Sequence, residues 1–127
     1  MAAPTHQDAS LMLGLLQLSS TPSFDRAGAF VWGPDFKADY NSFVAKYPDT
    51  SEEYGHVLAV AGWFEVLATL WKHHLINETL LFDWILVPPR WHKLEGFIGG
   101  MRSATGEPRY FENFEALAKA QLAHAPS

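Results

Sequence analysis

The sequence predicts an all-α fold, a bundle of six to seven helices around a central hydrophobic helix at about residues 51–73. The run VLAVAGWFEVLATLW at 57–71 has Glu65 as its only charge and apolar residues on almost every side, which is typical of a helix surrounded by protein. Elsewhere apolar residues recur at spacings of three and four, and the alternation typical of strands is nearly absent. The prolines lie mostly between these periodic segments, where helices end.

Length and composition indicate a single domain over residues 1–127, with flexible ends at 1–5 and 124–127. A chain of this length buries roughly two thirds of its unfolded surface, which is enough for a core without disulfides. The net charge is −5 and the nine Lys and Arg are scattered, which argues against binding nucleic acid. Because the sequence has no cysteine, as is typical of a reducing compartment, we expect a cytoplasmic location. No pattern in the sequence indicates a cofactor.

The first two predicted helices are short. Thr5 and Asp8 form a capping box that begins helix one, and the apolar face of this helix ends near Ser19. Pro22 occupies the first turn of helix two, where its missing N–H costs nothing. The pair at 33–34, Gly followed by Pro, ends helix two.

Helix three carries the clearest amphipathic pattern in the chain. Its apolar positions recur at offsets of four, seven, eight and eleven from Phe36, and Pro48 ends the helix. One buried face is therefore expected. The residues of that face are Phe36, Tyr40, Phe43, Val44 and Tyr47.

The central helix has charges that complement its dipole at both ends. Thr50 or Ser51 caps it, acidic residues follow in the first turn, and bases occupy the last turn. Its apolar run is shorter than the roughly 20 residues that cross a bilayer, so we expect no membrane-spanning segment. One stripe of the helix is small or polar and either faces water or lets another helix approach closely. The stripe comprises Ser51, Gly55, Gly62, Glu65, Thr69 and Lys72.

The second half of the chain predicts the remaining helices. Asn77 caps helix five, and helix six begins on the proline pair at 88–89 and is followed by a loop at 103–107. The last helix opens at Pro108 and reaches Leu122. Three glycines inside helix six indicate close packing against a neighbour or a bend, since glycine is unfavourable in a helix. They are Gly96, Gly99 and Gly100.

Glu65 needs a partner, because burying an isolated carboxylate is costly. We predict an ion pair with Arg102, at the far end of helix six, with Lys72 on the same helix as the alternative cation. Such a pair fixes the register of two helices and requires no catalytic role. A separation of more than about 6 Å from every Arg and Lys would contradict the pairing.

Two other groups are candidates for a metal or ligand site. Glu53 and His56 have the Glu-x-x-His spacing of di-metal helical bundles, which need a second such step and two further glutamates. No second step is present, so a capping acid beside a surface histidine is the favoured interpretation. His92 and Glu95, one turn apart, have the residue types of an acid and a base, with Arg102 as an anion-binding group. The alternative interpretation of His92, Glu95 and Arg102 is a charged stripe of the helix that faces solvent.

Four segments of the chain carry a recognisable pattern. They are an aromatic-Glu pair in the core helix at 63–65, an acidic apolar helix at 80–84, a Trp-led helix ending in Arg at 91–102, and a closing Tyr-Phe-Glu-x-Leu-like segment at 110–117. Over about 57–117 the chain resembles a family of uncharacterised bacterial all-helical proteins, a domain of unknown function. The resemblance implies a helical fold and no established activity. Many members of that family carry an N-terminal hydrophobic anchor helix, and we find no such helix in this sequence.

Two classes of function stay open. The favoured one is a non-enzymatic helical module that associates with itself or with another protein, because five Trp, four Tyr and nine Phe are a heavy aromatic load and surface aromatics mark interfaces. These side chains could instead all lie in the core. The alternative is a small-molecule or metal-binding bundle, with or without catalysis, at a polar site around Glu65 and Arg102 with His92 or Glu95. No catalytic residue is assigned.

Overall fold

Seven α-helices make up the regular structure of residues 2–124, the part of the chain that the computed structural model describes. The predicted all-α bundle is confirmed, and no strand occurs among these residues. The helices are α1 (His6–Leu18), α2 (Pro22–Val31), α3 (Tyr40–Lys46), α4 (Glu52–Lys72), α5 (Glu78–Trp84), α6 (Pro88–Thr105) and α7 (Glu112–Ala123).

The ends that were expected to be flexible fall partly outside the described residues, which leave out 1 and 125–127. Within the described part, the backbone carbonyl of Ala2 accepts a hydrogen bond from the Asn77 amide at 2.9 Å. Thr5 caps α1. The segment before α1 is therefore tied to the start of α5.

Side-chain caps begin the first five helices. In each, the side-chain oxygen of the capping residue accepts a hydrogen bond from the backbone N–H three residues later, which satisfies a donor that the helix itself leaves free. The capping residues are Thr5, Thr21, Asp39, Ser51 and Asn77. The predicted caps of the first, fourth and fifth helices are thus confirmed.

The predicted start of helix three is wrong. The amphipathic pattern begins at Phe36, whereas α3 begins at Tyr40 because Asp39 accepts the capping hydrogen bond and breaks the run. The Phe36 side chain is nevertheless only 5% exposed, so it packs into the core from the preceding loop. An apolar residue in register with a helix need not belong to it.

The turn between α6 and α7 also differs from the prediction. α6 extends to Thr105, into the segment expected to be a loop. The helix is ended by Gly106, whose φ of 73° lies in the left-handed region that glycine adopts readily. The last helix begins at Glu112 rather than at Pro108. Phe111 has a φ of 59°, which a right-handed helix cannot contain, and so it separates the turn from α7.

α4 lies at the centre of the bundle and packs mainly against α2 and α7. α3 packs on α6, and α6 packs on α7. The expectation that protein surrounds α4 is correct on these sides and wrong on one, where Val66 is 51% exposed. The buried residues of α4 are Tyr54, Val57, Val60, Ala61, Phe64, Leu67 and Ala68.

α4 has 21 residues, yet neither it nor any other helix in the described part combines the length and the mean hydropathy needed to cross a bilayer.

Most aromatic side chains lie in the core or against it. Phe97 of α6 is the centre of one cluster, with three rings whose centroids lie 5.0 to 5.5 Å from its own. These are the rings of Tyr40, Phe43 and Tyr54. Among the described aromatic residues, Trp32 and Tyr110 are the exposed ones. The heavy aromatic load is therefore explained mainly by core packing.

The glycines of α6 explain how α3 approaches it. A methyl group on Gly100 would overlap the side chain of Tyr40, and one on Gly96 would lie 3.3 Å from Ala38. Close packing is therefore confirmed at both positions. Gly99 has no such neighbour within 4 Å.

Candidate functional site

Glu65 caps a neighbouring helix. Its half-buried carboxylate accepts hydrogen bonds from the backbone N–H of Phe114 and from the side-chain amide of Asn113, both at 2.9 Å. Both donors lie in the first turn of α7, whose own Phe111 provides no side-chain cap. A carboxylate is favoured there because the helix N-terminus is the positive end of the helix dipole. The single charge of the apolar run thus closes the start of α7.

The predicted ion pair between Glu65 and Arg102 is replaced by two separate contacts. Arg102 Nη1 lies 2.8 Å from the carboxylate of Glu115, and its Nε donates to the backbone carbonyl of Tyr110 at 2.9 Å. Within the described residues, Glu65 forms no salt bridge with Arg102 or Lys72. The reason is that α7 contacts both α4 and α6. The backbone N–H of Phe114 donates to Glu65 of α4, whereas the next residue, Glu115, binds Arg102 of α6.

Arg102 is held by several groups at once. Its guanidinium carbon lies 5.8 Å from the centre of the Trp91 ring, a favourable arrangement for a cation. Its partner Glu115 also accepts a hydrogen bond from Lys119, four residues later on α7, at 2.7 Å. Lys119 and, after it, Arg102 hold the pKa of Glu115 below its usual value. The group anchors α6 to α7.

Two further polar side chains close helix ends in the same way. Asp8 of α1 accepts the backbone N–H of Asn77 at 2.9 Å, in addition to its capping-box bonds with Thr5. Gln121 of α7 is the buried polar residue of the described chain; it accepts the N–H of Val87 at 2.7 Å and donates to the carbonyl of Ile85 at 2.8 Å. A glutamine within the apolar pattern of α7 is a sequence signal for such a role, and sequence reasoning missed it.

Among the weaker candidates, His92 and Glu95 lie at the surface, whereas the side chain of His56, which was predicted to be a surface histidine, is only 18% exposed. His92 and Glu95 lie 3.2 Å apart with their side chains 85% and 46% exposed, which fits a charged stripe facing solvent. His56 contacts Glu52 at 3.6 Å rather than the Glu53 of the predicted pair. No group of three or more possible metal ligands occurs among the described residues.

One side of α4 carries an open apolar face, which we define as Gly55, Ala59, Gly62 and Val66. Their spacing of four, three and four places them on one side of the helix. A methyl group added at either glycine would meet no atom within 4 Å, so no other element of the described part of the chain packs there. Of the predicted small and polar stripe, Gly55 and Gly62 are therefore open, whereas Glu65 and Thr69 meet α7.

These features define an all-helical domain in which polar side chains of one helix cap the ends of neighbouring helices. Comparison with protein-family models matches residues 4–121 to the family described as "Domain of unknown function (DUF4760)", and the chain belongs to that family. The match confirms the resemblance to a domain of unknown function and extends it towards the N-terminus, well beyond 57–117. Searches of curated proteins and of solved structures found no match.

Proposed function

We propose that this protein is a non-enzymatic helical interaction module that associates with a second copy of itself through the open face of α4. The observation that carries this proposal is the exposure of Val66, at 51%, on the central helix of the bundle. Covering exposed apolar surface with a partner removes it from water, which lowers the free energy of the complex. The small residues that precede Val66 on this face allow the backbone of a partner helix to come close.

The open face matches itself in an antiparallel arrangement. With a twofold axis between Gly62 and Trp63, Ala59 of one copy lies opposite Val66 of the other. A small residue thus meets a larger one at two symmetric places along a helix about 30 Å long. Such self-complementarity is what an isologous dimer requires.

The charges at the ends of α4 fit the same arrangement. The axis brings Glu52, near this side of α4, opposite His73 at the other end of the helix, and the helix dipoles run in opposite directions. A parallel pairing would instead bring acids together in a chain whose net charge is already −5. Electrostatic complementarity of this kind selects one orientation.

Light scattering or sedimentation of the purified protein tests association. One helix face makes a small interface, so we expect a dimer with a Kd on the order of 10 to 100 μM. Gly62→Arg should be monomeric, because the long side chain fills the open face. Gly99→Arg is the matched control, since this helical glycine also has no neighbour within 4 Å and lies on α6. A monomeric wild type, or a Gly62→Arg variant that still dimerises, would contradict the proposal.

A charge exchange tests the orientation. The test combines Glu52→Lys with His73→Glu. His73→Glu alone should weaken the dimer about two- to tenfold, since it places a second acid opposite Glu52 at both ends. The double variant carries the reversed pair in both copies and should regain most of the lost affinity. Additive weakening in the double variant would exclude the antiparallel dimer.

The alternative function, a ligand or metal site at Glu65 and Arg102, is less well supported, because both side chains already bind other groups of the chain. Bacterial origin and a cytoplasmic location remain predictions, supported by the resemblance and by the cysteine-free sequence.

A further inference from the structure

A cavity of about 340 Å³ lies between α2 and α4, apart from the polar groups described above. Ser19, after α1, and the segment 85–90 close its sides. Its volume is within the range of pockets that bind small molecules and about twice that of an engineered cavity that holds benzene. A ligand of one or two rings would fill it.

Most of the cavity wall is apolar and aromatic. Val60 and Phe64, which are 3% and 5% exposed, form its base. The Trp63 ring is held in place because its indole N–H donates to the carbonyl of Leu15 at 3.0 Å, and it lies 6.2 Å from the ring of Phe24. A fixed aromatic wall provides apolar contact area at little entropic cost, as small-molecule sites do.

α2 leaves the cavity open where it carries small residues. Gly28 lines the cavity, and a methyl group added to it would meet no atom within 4 Å. The exposed Trp32 stands one turn further along the same helix. The space above the base is therefore not filled by any residue in the described range 2–124.

One cation in the wall has unused donors. Arg90 Nη1 donates to the backbone carbonyl of Leu86 at 2.8 Å, and this is the only hydrogen bond of its side chain within the described residues. Its Nε and Nη2 groups are thus free for an anion, and a guanidinium favours a carboxylate because it can donate two parallel hydrogen bonds. Lys93 lies 5.8 Å from the Trp32 ring and adds positive charge beside the cavity. The cavity lining also includes one acidic residue, Asp25, which is exposed.

We propose that this cavity binds a small amphipathic carboxylate, with its ring or chain against Trp63 and Phe24 and its carboxylate on Arg90. Apolar walls beside one cation with free donors select a ligand that has an apolar body and one negative group. Asp25 weakens the interaction by repulsion and so sets an upper limit on affinity.

Calorimetry with naphthalene-2-carboxylate, and with the neutral naphthalene-2-carboxamide as its isostere, tests the proposal. We expect the carboxylate to bind with a Kd of about 1 mM or tighter and the amide to bind at least about tenfold more weakly. Arg90→Met should weaken binding of the carboxylate about tenfold or more and leave the amide unchanged. Asp25→Asn should strengthen binding of the carboxylate about two- to fivefold.

Gly28→Leu provides the test of location. The Cβ of the new side chain would meet no atom within 4 Å and Gly28 lines the cavity, so the variant should fold, fill the cavity and bind neither probe. Gly14→Leu on α1 is the matched control, because that glycine also lacks neighbours within 4 Å and lies outside the cavity. Equal binding by the Gly28→Leu variant, no binding of the carboxylate by the wild type, or an equal affinity for the amide would each overturn the proposal. These variants do not alter the open face of α4, so their results are separate from the dimer tests.

Discussion

Glu65 illustrates how a carboxylate inside an apolar helix can be explained without catalysis. Its two oxygens accept hydrogen bonds from the start of α7, and no cation is required. A helix N-terminus offers free N–H groups and a favourable dipole, which together replace the ion pair that charge balance alone suggests.

Removing this cap should destabilise the protein. Glu65→Ala leaves the N–H of Phe114 without its partner, so the free energy of unfolding should fall by about 1 to 3 kcal/mol. Glu65→Gln keeps an acceptor oxygen but loses the charge and should cost less. Urea denaturation followed by circular dichroism measures both changes.

Glu95→Ala is the control for the Glu65 variants. Its side chain is 46% exposed and, among the residues described, forms its ion pair with the still more exposed His92. Such surface pairs contribute at most about 1 kcal/mol. Equal losses of stability for Glu95→Ala and Glu65→Ala would contradict the capping role of Glu65.

Local contacts of single residues could be predicted, and distant ones could not. The capping box of Thr5 and Asp8 is visible in the sequence because its partners are three residues apart. The contact between Glu65 and Phe114 spans 49 residues and depends on where α7 docks. Charge balance suggested Arg102 as the partner of Glu65, but Arg102 forms its ion pair with Glu115 of α7.

Adjacent glycines of α6 offer a test at the level of one helix. Gly99→Ala should raise the free energy of unfolding by up to about 1 kcal/mol, because alanine favours a helix and no atom lies within 4 Å. Gly100→Ala should lower it, since the methyl group overlaps Tyr40 and α3 must move. Thermal unfolding of both variants gives the comparison, and changes of the same sign would contradict the packing of α3 on α6.

Helix existence and type were predictable in this chain, and some ends were not. Phe36 continues the apolar spacing of α3 although it lies outside that helix, so periodicity alone extends the helix too far. Phe111 adopts a left-handed conformation that its residue type does not favour, and no local signal marks it. The contact that stabilises this turn comes from α4, through Glu65.

The stability of the whole molecule should depend on acidic pH. Hydrogen bonds from the backbone and side chain of Thr5 lower the pKa of Asp8, and Lys119 and Arg102 lower that of Glu115. A lowered pKa in the folded state means that the unfolded chain binds protons more readily. The stabilisation that these two ionised carboxylates give the folded state is therefore complete above the usual carboxyl pKa of 4.5. It is lost as the pH falls through their lowered pKa values.

Glu115→Gln tests this dependence. The variant cannot lose a charge at this position, so its free energy of unfolding should fall less steeply between about pH 5 and pH 2 than that of the wild type. Chemical denaturation at several pH values provides the measurement. An identical acid profile for the two proteins would contradict the role of Glu115.

Gln121 also sets an order of events during translation. Its side chain satisfies Val87, which lies 34 residues earlier, at the corner between α5 and α6. A nascent chain that already contains both helices still lacks this partner until the ribosome has released most of α7. Because a buried N–H without a partner is costly, the corner can become rigid only after α7 has left the ribosome.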